Sequence, residues 1–201
     1  MAMTPSLGKE STPIEPKPAN YTSNLLRLLL EHLDQRHEAQ MLDVGLACND
    51  NINFLAKRVK RLYVCDMFLR LDHNKRKSLP RSMIWQHLDY PTKSFDGVLL
   101  WNLVSYMNNN EVRRLVDLCH TMVRPGGMVM MVELDEQAIS PAVSSFFIGD
   151  SFRIYLHPRP SLDLSFYGRQ NREVLALLDP FVPAKSIIYR SGIREFLFQR
   201  S

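Results

Sequence analysis

The sequence predicts an α/β protein: a doubly wound, mostly parallel seven-stranded sheet that ends in a C-terminal antiparallel hairpin. Three observations lead to this fold class. Short apolar runs alternate with helical apolar stripes from Gln40 to Val132, which is the pattern of consecutive βαβ units. Two β-rich runs, 185–190 and 193–200, are joined across Ser191-Gly192, as in a hairpin. The 201 residues suffice for one domain with a substantial core.

The individual elements follow in order along the chain. Residues 1–20 hold four of the 12 prolines and predict a flexible N-terminal arm, followed by one domain over 21–201. Leucines at helical spacing predict a first helix from Tyr21, with Thr22 or Ser23 as its N-cap. Five strands are expected at 40–45, 61–66, 83–88, 97–101 and 128–132, with helices between them. Residues 137–170 lack periodicity and predict a lid or acceptor-binding segment.

Composition excludes several classes of protein. No purely apolar run exceeds five residues, so no membrane-spanning helix is expected. The N-terminus lacks the apolar stretch of a secretory signal, and we expect a cytoplasmic protein. Three cysteines without a CxxC pair favour neither disulfides nor a metal site. The net charge of +4 permits an anionic partner but does not require one.

Two carboxylates stand out because of their positions. Asp43 lies on an otherwise apolar strand, where a buried acidic side chain needs a partner. Asp66 ends the next predicted strand, 21 positions after Gly45, close to the separation expected for a carboxylate that binds ribose hydroxyls. Alternatively, Asp66 caps the helix that starts at Met67.

Four segments, in this order, resemble the class I S-adenosylmethionine-dependent methyltransferases. They are MLDVGLACNDN at 41–51, YVCD ending at Asp66, HLDYPTKSFDGVLLWNLVSYM at 87–107 and VRPGGMVMMVE at 123–133. Together with the hairpin, the resemblance covers about residues 38–200. It implies a Rossmann-like methyltransferase fold and S-adenosylmethionine as the cofactor. Fold alone does not determine activity.

The resemblance also assigns cofactor-binding residues. The glycine loop corresponds to Gly45, Ala47 and Asn49, in which two of the three glycines are replaced and Asn49 is suited to a left-handed turn. Asp43 is expected to stabilise this loop or to reach the methionine ammonium of the donor. The remaining assignments are the ribose to Asp66, the adenine to Asp89 and Tyr90, and the sulfonium to Trp101, for which core packing is the alternative. Met67 is a further cofactor-binding candidate.

The leading hypothesis is methyl transfer from S-adenosylmethionine to a small-molecule acceptor. His157 and Tyr155 are weak candidates for a general base. A catalytically inactive, methyltransferase-like binding or assembly module is the alternative, because the glycine loop is degenerate. An RNA-modifying enzyme is a third hypothesis, suggested by the sequence pI of about 9.0. The basic runs 57–61 and 74–77 are interpreted as phosphate contacts or, preferably, as solvated helix ends. The sequence predicts no particular acceptor atom or oligomeric state.

Overall fold

The computed structural model describes residues 20–135 and 142–201, which form two β-sheets and five α-helices. The nine strands are β1 (Asn20–Thr22), β2 (Gln40–Val44), β3 (Arg61–Cys65), β4 (Phe95–Trp101), β5 (Val123–Leu134), β6 (Ser144–Ile148), β7 (Arg153–Pro158), β8 (Val182–Ile188) and β9 (Ile193–Gln199). The helices are α1 (Asn24–Asp34), α2 (Asn49–Ala56), α3 (Met67–Arg76), α4 (Asn109–Met122) and α5 (Asn171–Leu177). The predicted arm lies outside the described residues except for Asn20, which begins β1.

The main sheet has six strands in the order β3-β2-β4-β5-β9-β8. Strands β3, β2, β4 and β5 are parallel, whereas β9 runs antiparallel to both β5 and β8. The predicted α/β class and the C-terminal hairpin are therefore confirmed. The strand order reverses between β2 and β4, and in open α/β sheets ligands bind at the carboxyl ends of the strands beside such a switch point.

The expected strand at 83–88 is wrong, which is why the main sheet has six strands rather than seven within the described residues. Arg81–Leu88 forms a 3-10 helix that follows Pro80. Ile84 and Leu88, four residues apart, are buried, while Met83 is 43% exposed. A strand would place Gln86 on the same face as Ile84 and Leu88, yet Gln86 is exposed, so the pattern is that of a helical turn and not of a strand.

Part of the expected lid is regular structure. Within residues 142–170, β6 and β7 pair antiparallel, and β1 joins β7 to complete a three-stranded sheet. Tyr21 thus lies in a strand, and α1 begins only at Asn24, with the Ser23 hydroxyl accepting from the N–H of Leu26. Residues 137–141 of the expected lid lie outside the described residues.

Each face of the main sheet carries its own apolar cluster. Leu42 and Val44 of β2 point into one cluster, whereas Met41 points into the other, together with α1 and parts of the small sheet. The predicted apolar stripe of α4 is buried in the first cluster, and a capping box between Asn108 and Glu111 starts this helix. Among the described residues, no helix is long and apolar enough to cross a membrane.

Candidate cofactor site

The loop that leaves β2 at the switch point is short and leads straight into α2. Gly45 is buried, whereas Ala47 and Asn49 are exposed. Cys48 caps α2, because its Sγ accepts from the N–H of Asn51 at 3.4 Å. Asn49 is the first residue of this helix, so the expected left-handed turn at Asn49 is wrong.

Asp66 joins this loop to α3. Its Oδ2 accepts from the N–H of Ala47 at 3.0 Å, and its Oδ1 accepts from the N–H of Leu69 at 3.0 Å. The carboxylate therefore caps α3 and also faces the loop. Its geometry allows both predicted roles, the helix cap and ribose binding. A carboxylate oxygen has more than one acceptor site, and this side chain is only half-buried. Asp66 therefore retains acceptor capacity for hydroxyl groups.

A groove of about 570 Å³ opens beside Asp66 along α3. Arg70 and His87 form part of its lining, and Arg70 Nη1 lies 3.0 Å from His87 Nε2. Burial and the neighbouring Arg70 lower the pKa of His87, which favours the neutral imidazole as the acceptor of this hydrogen bond. The groove thus offers a carboxylate at one end and a guanidinium beside it.

Trp101, the last residue of β4, lies directly over Gly45. Its indole Nε1 donates to Asp43 Oδ1 at 2.6 Å. A Cβ atom placed on Gly45 would lie 2.5 Å from Trp101 Cδ1, far inside contact distance. Burial raises the pKa of Asp43 to about 7, and the indole hydrogen bond acts in the opposite direction. The buried acid on β2 therefore has the partner that its position requires, and this partner is a protein side chain.

The small sheet covers the Trp101 ring. Phe146 of β6 stacks on the indole, with 5.3 Å between ring centroids and an interplanar angle of 26°. Asn51 of α2 holds β6 in this position: its Nδ2 donates to the carbonyl of Phe146 and its Oδ1 accepts from the N–H of Ile148, both at 2.8 Å. Phe146, an aromatic of the expected acceptor segment, instead closes the space around Trp101.

Three of the assigned cofactor residues have other surroundings. Met67 is fully buried in the core. Asp89 is exposed after the 3-10 helix. Tyr90 packs edge-on against Tyr63 and Phe95, with centroid distances of 5.7 and 5.1 Å. Met67 and Tyr90 therefore contribute to packing, whereas Asp89 is open to solvent.

The two candidate bases lie on β7 and face away from this site. Ile154 and Leu156 of β7 are buried in the cluster that contains Trp101. Successive side chains of a strand point to opposite faces, so Tyr155 and His157 lie on the outer face of the small sheet. The structure therefore gives no support to either side chain as a base at the Gly45 loop.

A buried polar cluster at the carboxyl ends of β4 and β5 was missed by sequence reasoning. Glu133 is fully buried, accepts a hydrogen bond from the Ser105 hydroxyl, and lies opposite Arg194 of β9. Burial raises the pKa of Glu133 to about 7. Asn102 adopts φ 49° at the end of β4, and its Oδ1 accepts from the N–H of Leu134 at 3.2 Å. The signal was a single glutamate at the end of the apolar run MVMMV.

The chain contains a known sequence domain. A family described as "Methyltransferase domain" matches residues 42–131, which include both Gly45 and Asp66. No curated protein sequence matches the chain. Among residues 20–135 and 142–201, no group of three or more His, Cys, Asp or Glu side chains is placed to hold a metal ion.

Solved structures share the fold at low sequence identity. An S-adenosylmethionine-dependent methyltransferase from Mesorhizobium loti is 15% identical, with 88% of this chain and 96% of that chain covered and a TM-score of 0.58. The N-methyltransferase NodS from Bradyrhizobium japonicum, solved with S-adenosyl-L-homocysteine, is 17% identical, with coverages of 87% and 84% and a TM-score of 0.53. The [4+2]-cyclase SpnF is 12% identical, with coverages of 88% and 80% and a TM-score of 0.56. Residues 42–131 thus match the methyltransferase domain family, in a chain with the Rossmann-like fold of the class I methyltransferases that its sequence resembles.

Proposed function

We propose that the chain is an S-adenosylmethionine-dependent methyltransferase that acts on a small-molecule acceptor. The observation that carries the proposal is the Asp66 carboxylate, held against the loop after β2 by the N–H of Ala47. A carboxylate one strand away from the glycine loop is the arrangement that binds nucleoside ribose at a switch point. The methyltransferase domain match supports this proposal.

Asp66, at the ribose end of the nucleoside, fits this donor. Asp66 is half-buried, has acceptor capacity left, and opens onto the groove along α3. Ala47 and Asn49, which replace two glycines, are both exposed to solvent. When bound, S-adenosylmethionine supplies an electrophilic methyl group on sulfur, and the chain supplies position rather than covalent chemistry.

The residues at the methionine end do not fit the donor in this arrangement. The indole of Trp101 occupies the space over Gly45, and its N–H already bonds the carboxylate of Asp43. Binding of the complete donor therefore requires the indole to leave this position.

Calorimetric titration with S-adenosylmethionine tests the proposal. We expect binding by the wild type and a loss of about tenfold or more in affinity for Asp66→Ser, because serine keeps the cap of α3 but lacks the carboxylate. Asp50→Asn is the matched control, since it removes an exposed carboxylate from the neighbouring α2. Absence of binding at millimolar donor, or equal affinity of Asp66→Ser and the wild type, would overturn the proposal.

The second candidate is a methyltransferase-like binding or assembly module without catalysis. The Trp101–Asp43 contact favours it, because both residues satisfy each other without a ligand. SpnF, which has the same fold and is named a cyclase, shows that the architecture occurs outside methyl transfer. A folded wild type that does not bind the donor in the titration above would favour this candidate.

A further inference from the structure

We propose that the Trp101 indole is a gate that closes the methionine half of the donor-binding site. The wild-type protein then binds an adenine nucleoside without the amino-acid tail more tightly than S-adenosylmethionine. The inference rests on the proposed function, because it divides the same binding site into an open nucleoside half and a closed methionine half. Three contacts of Trp101 indicate that the methionine half is closed. The surroundings of Asp66 indicate that the nucleoside half is open.

The first contact is steric. Glycine after the first strand of a doubly wound sheet allows a ligand to approach the backbone closely. At Gly45 the missing side chain leaves room that the indole fills: Trp101 Cδ1, Cγ and Cβ lie 2.5, 3.2 and 3.3 Å from the position of a Cβ atom on Gly45. The indole and a ligand cannot both occupy this space.

The second contact is electrostatic. Asp43 is completely buried, and an isolated carboxylate is costly in an apolar environment. The indole N–H compensates Asp43 with a hydrogen bond of 2.6 Å. By the resemblance to class I methyltransferases, Asp43 either stabilises the loop or reaches the ammonium group of the donor, and the second role needs a free position beside its carboxylate. In this chain the indole N–H takes that position, so the amino-acid end of the donor must compete with it.

The third contact holds the indole from outside. The Phe146 ring stacks on Trp101, and the two hydrogen bonds of Asn51 fix the backbone on either side of Phe147. An offset aromatic pair of this kind contributes beyond its buried area. Movement of the indole therefore requires at least a shift of Phe146, which makes the closed position the stable one without ligand.

The nucleoside half of the site lies away from the Trp101 indole. The groove beside Asp66 is lined by residues of α3 and by His87 of the 3-10 helix, and Trp101 is not among them. Trp101 packs instead in the cluster formed with α1 and the small sheet. Asp66 therefore faces the groove with its remaining acceptor capacity whether or not the indole has moved.

Two ligands and three proteins test the gate. The ligands are S-adenosylmethionine and 5′-methylthioadenosine, which has the nucleoside and the sulfur but no amino-acid tail. We expect the wild type to bind 5′-methylthioadenosine about tenfold or more tightly than S-adenosylmethionine. Trp101→Ala is expected to tighten binding of S-adenosylmethionine about tenfold and to leave 5′-methylthioadenosine unchanged. Trp85→Ala, which removes the other tryptophan, is the control and is expected to leave the affinity for each of the two ligands unchanged.

The outcomes separate the gate from the proposed function. Equal wild-type affinity for the two ligands, with no gain for S-adenosylmethionine in Trp101→Ala, overturns the gate and leaves the methyltransferase proposal standing. No binding of either ligand by any variant overturns both.

Tryptophan fluorescence provides a test that does not depend on the folding of Trp101→Ala. The chain has two tryptophans, so Trp85→Phe leaves Trp101 as the sole indole. Saturating S-adenosylmethionine should shift its emission to longer wavelength as the indole leaves the core, and 5′-methylthioadenosine should not. An emission maximum that stays the same at saturating S-adenosylmethionine refutes the movement of the gate.

Discussion

Beside a weak contact from Cys48 Sγ to the carbonyl of Phe146 at 3.9 Å, the attachment of the small sheet to α2 relies on the side chain of Asn51. Its amide bridges two backbone groups of β6, the carbonyl of Phe146 and the N–H of Ile148, each at 2.8 Å, and the side chain is 1% exposed. Asn51→Ala removes both partners at once. Because the site is buried, water does not readily replace the amide, and the two backbone groups lose their hydrogen bonds.

The cost follows from those two groups. Leaving a buried donor or acceptor unpaired costs about 1–3 kcal/mol for each group, so Asn51→Ala should lower the free energy of unfolding by about 2–6 kcal/mol. In a chain of this size, where each kcal/mol shifts the melting temperature by about 2–4 °C, that corresponds to a fall of about 4–24 °C. Differential scanning calorimetry measures both quantities.

Asn53→Ala supplies the matched control. It makes the same substitution in the same helix at an exposed position, so any gain in helix propensity is common to both variants. Exposed substitutions of this kind usually change stability by less than about 0.5 kcal/mol. Equal melting temperatures for the two variants would refute the role of Asn51 in attaching β6.

Three further predictions concern the switch-point edge. Burial keeps the pKa of Glu133 near 7 instead of 4.5, so the folded state retains a proton that the unfolded chain releases, and the free energy of unfolding falls as the pH rises through this range. Glu133→Gln should therefore have a free energy of unfolding about 2–3 kcal/mol higher than the wild type at pH 8 and nearly the same at pH 4.5. Urea unfolding measures this free energy, and the same dependence on pH in both proteins would contradict the prediction. Gly45→Ala should cost about 1–3 kcal/mol in the wild type but much less in a Trp101→Ala background, and an additive double-mutant cycle would show that the indole is not the obstacle. Arg169 donates to the carbonyls of Val104 and Met107, both at 2.6 Å. Arg169→Lys should lower the free energy of unfolding by about 1–3 kcal/mol, because one ammonium cannot replace the planar guanidinium. Full stability of the lysine variant in urea unfolding argues against this.

Most of the fold could be predicted because its signals are local. The apolar stripe of α4 and the runs of β2, β3, β4, β8 and β9 each carry their own periodicity, and parallel pairing follows from their alternation with helices. The structure of residues 83–88 could not be predicted from local periodicity. Their apolar residues are consistent with either a short buried strand or one helical face, and only packing against the core decides between them.

The site could be predicted where the backbone determines the position of a residue. Asp66 follows β3 and Gly45 follows β2, so parallel neighbouring strands bring them together, as the Ala47 hydrogen bond shows. The orientation of a side chain is a different matter. Nothing in the sequence around Trp101 indicates whether its ring faces the donor or the core, because that depends on Phe146, which lies 45 residues further along the chain.

The glycine count of the loop is therefore a poor guide to the activity of this chain. Gly45 is retained, yet the space it opens is occupied by Trp101, so internal packing is enough to explain why a glycine stands there. Ala47 and Asn49 depart from the motif, yet both are exposed to solvent. The replaced glycines thus leave donor binding possible, while the retained one gives no evidence for it. What decides between catalysis and an inactive module is the free energy needed to move one indole away from Asp43, and that quantity can be measured.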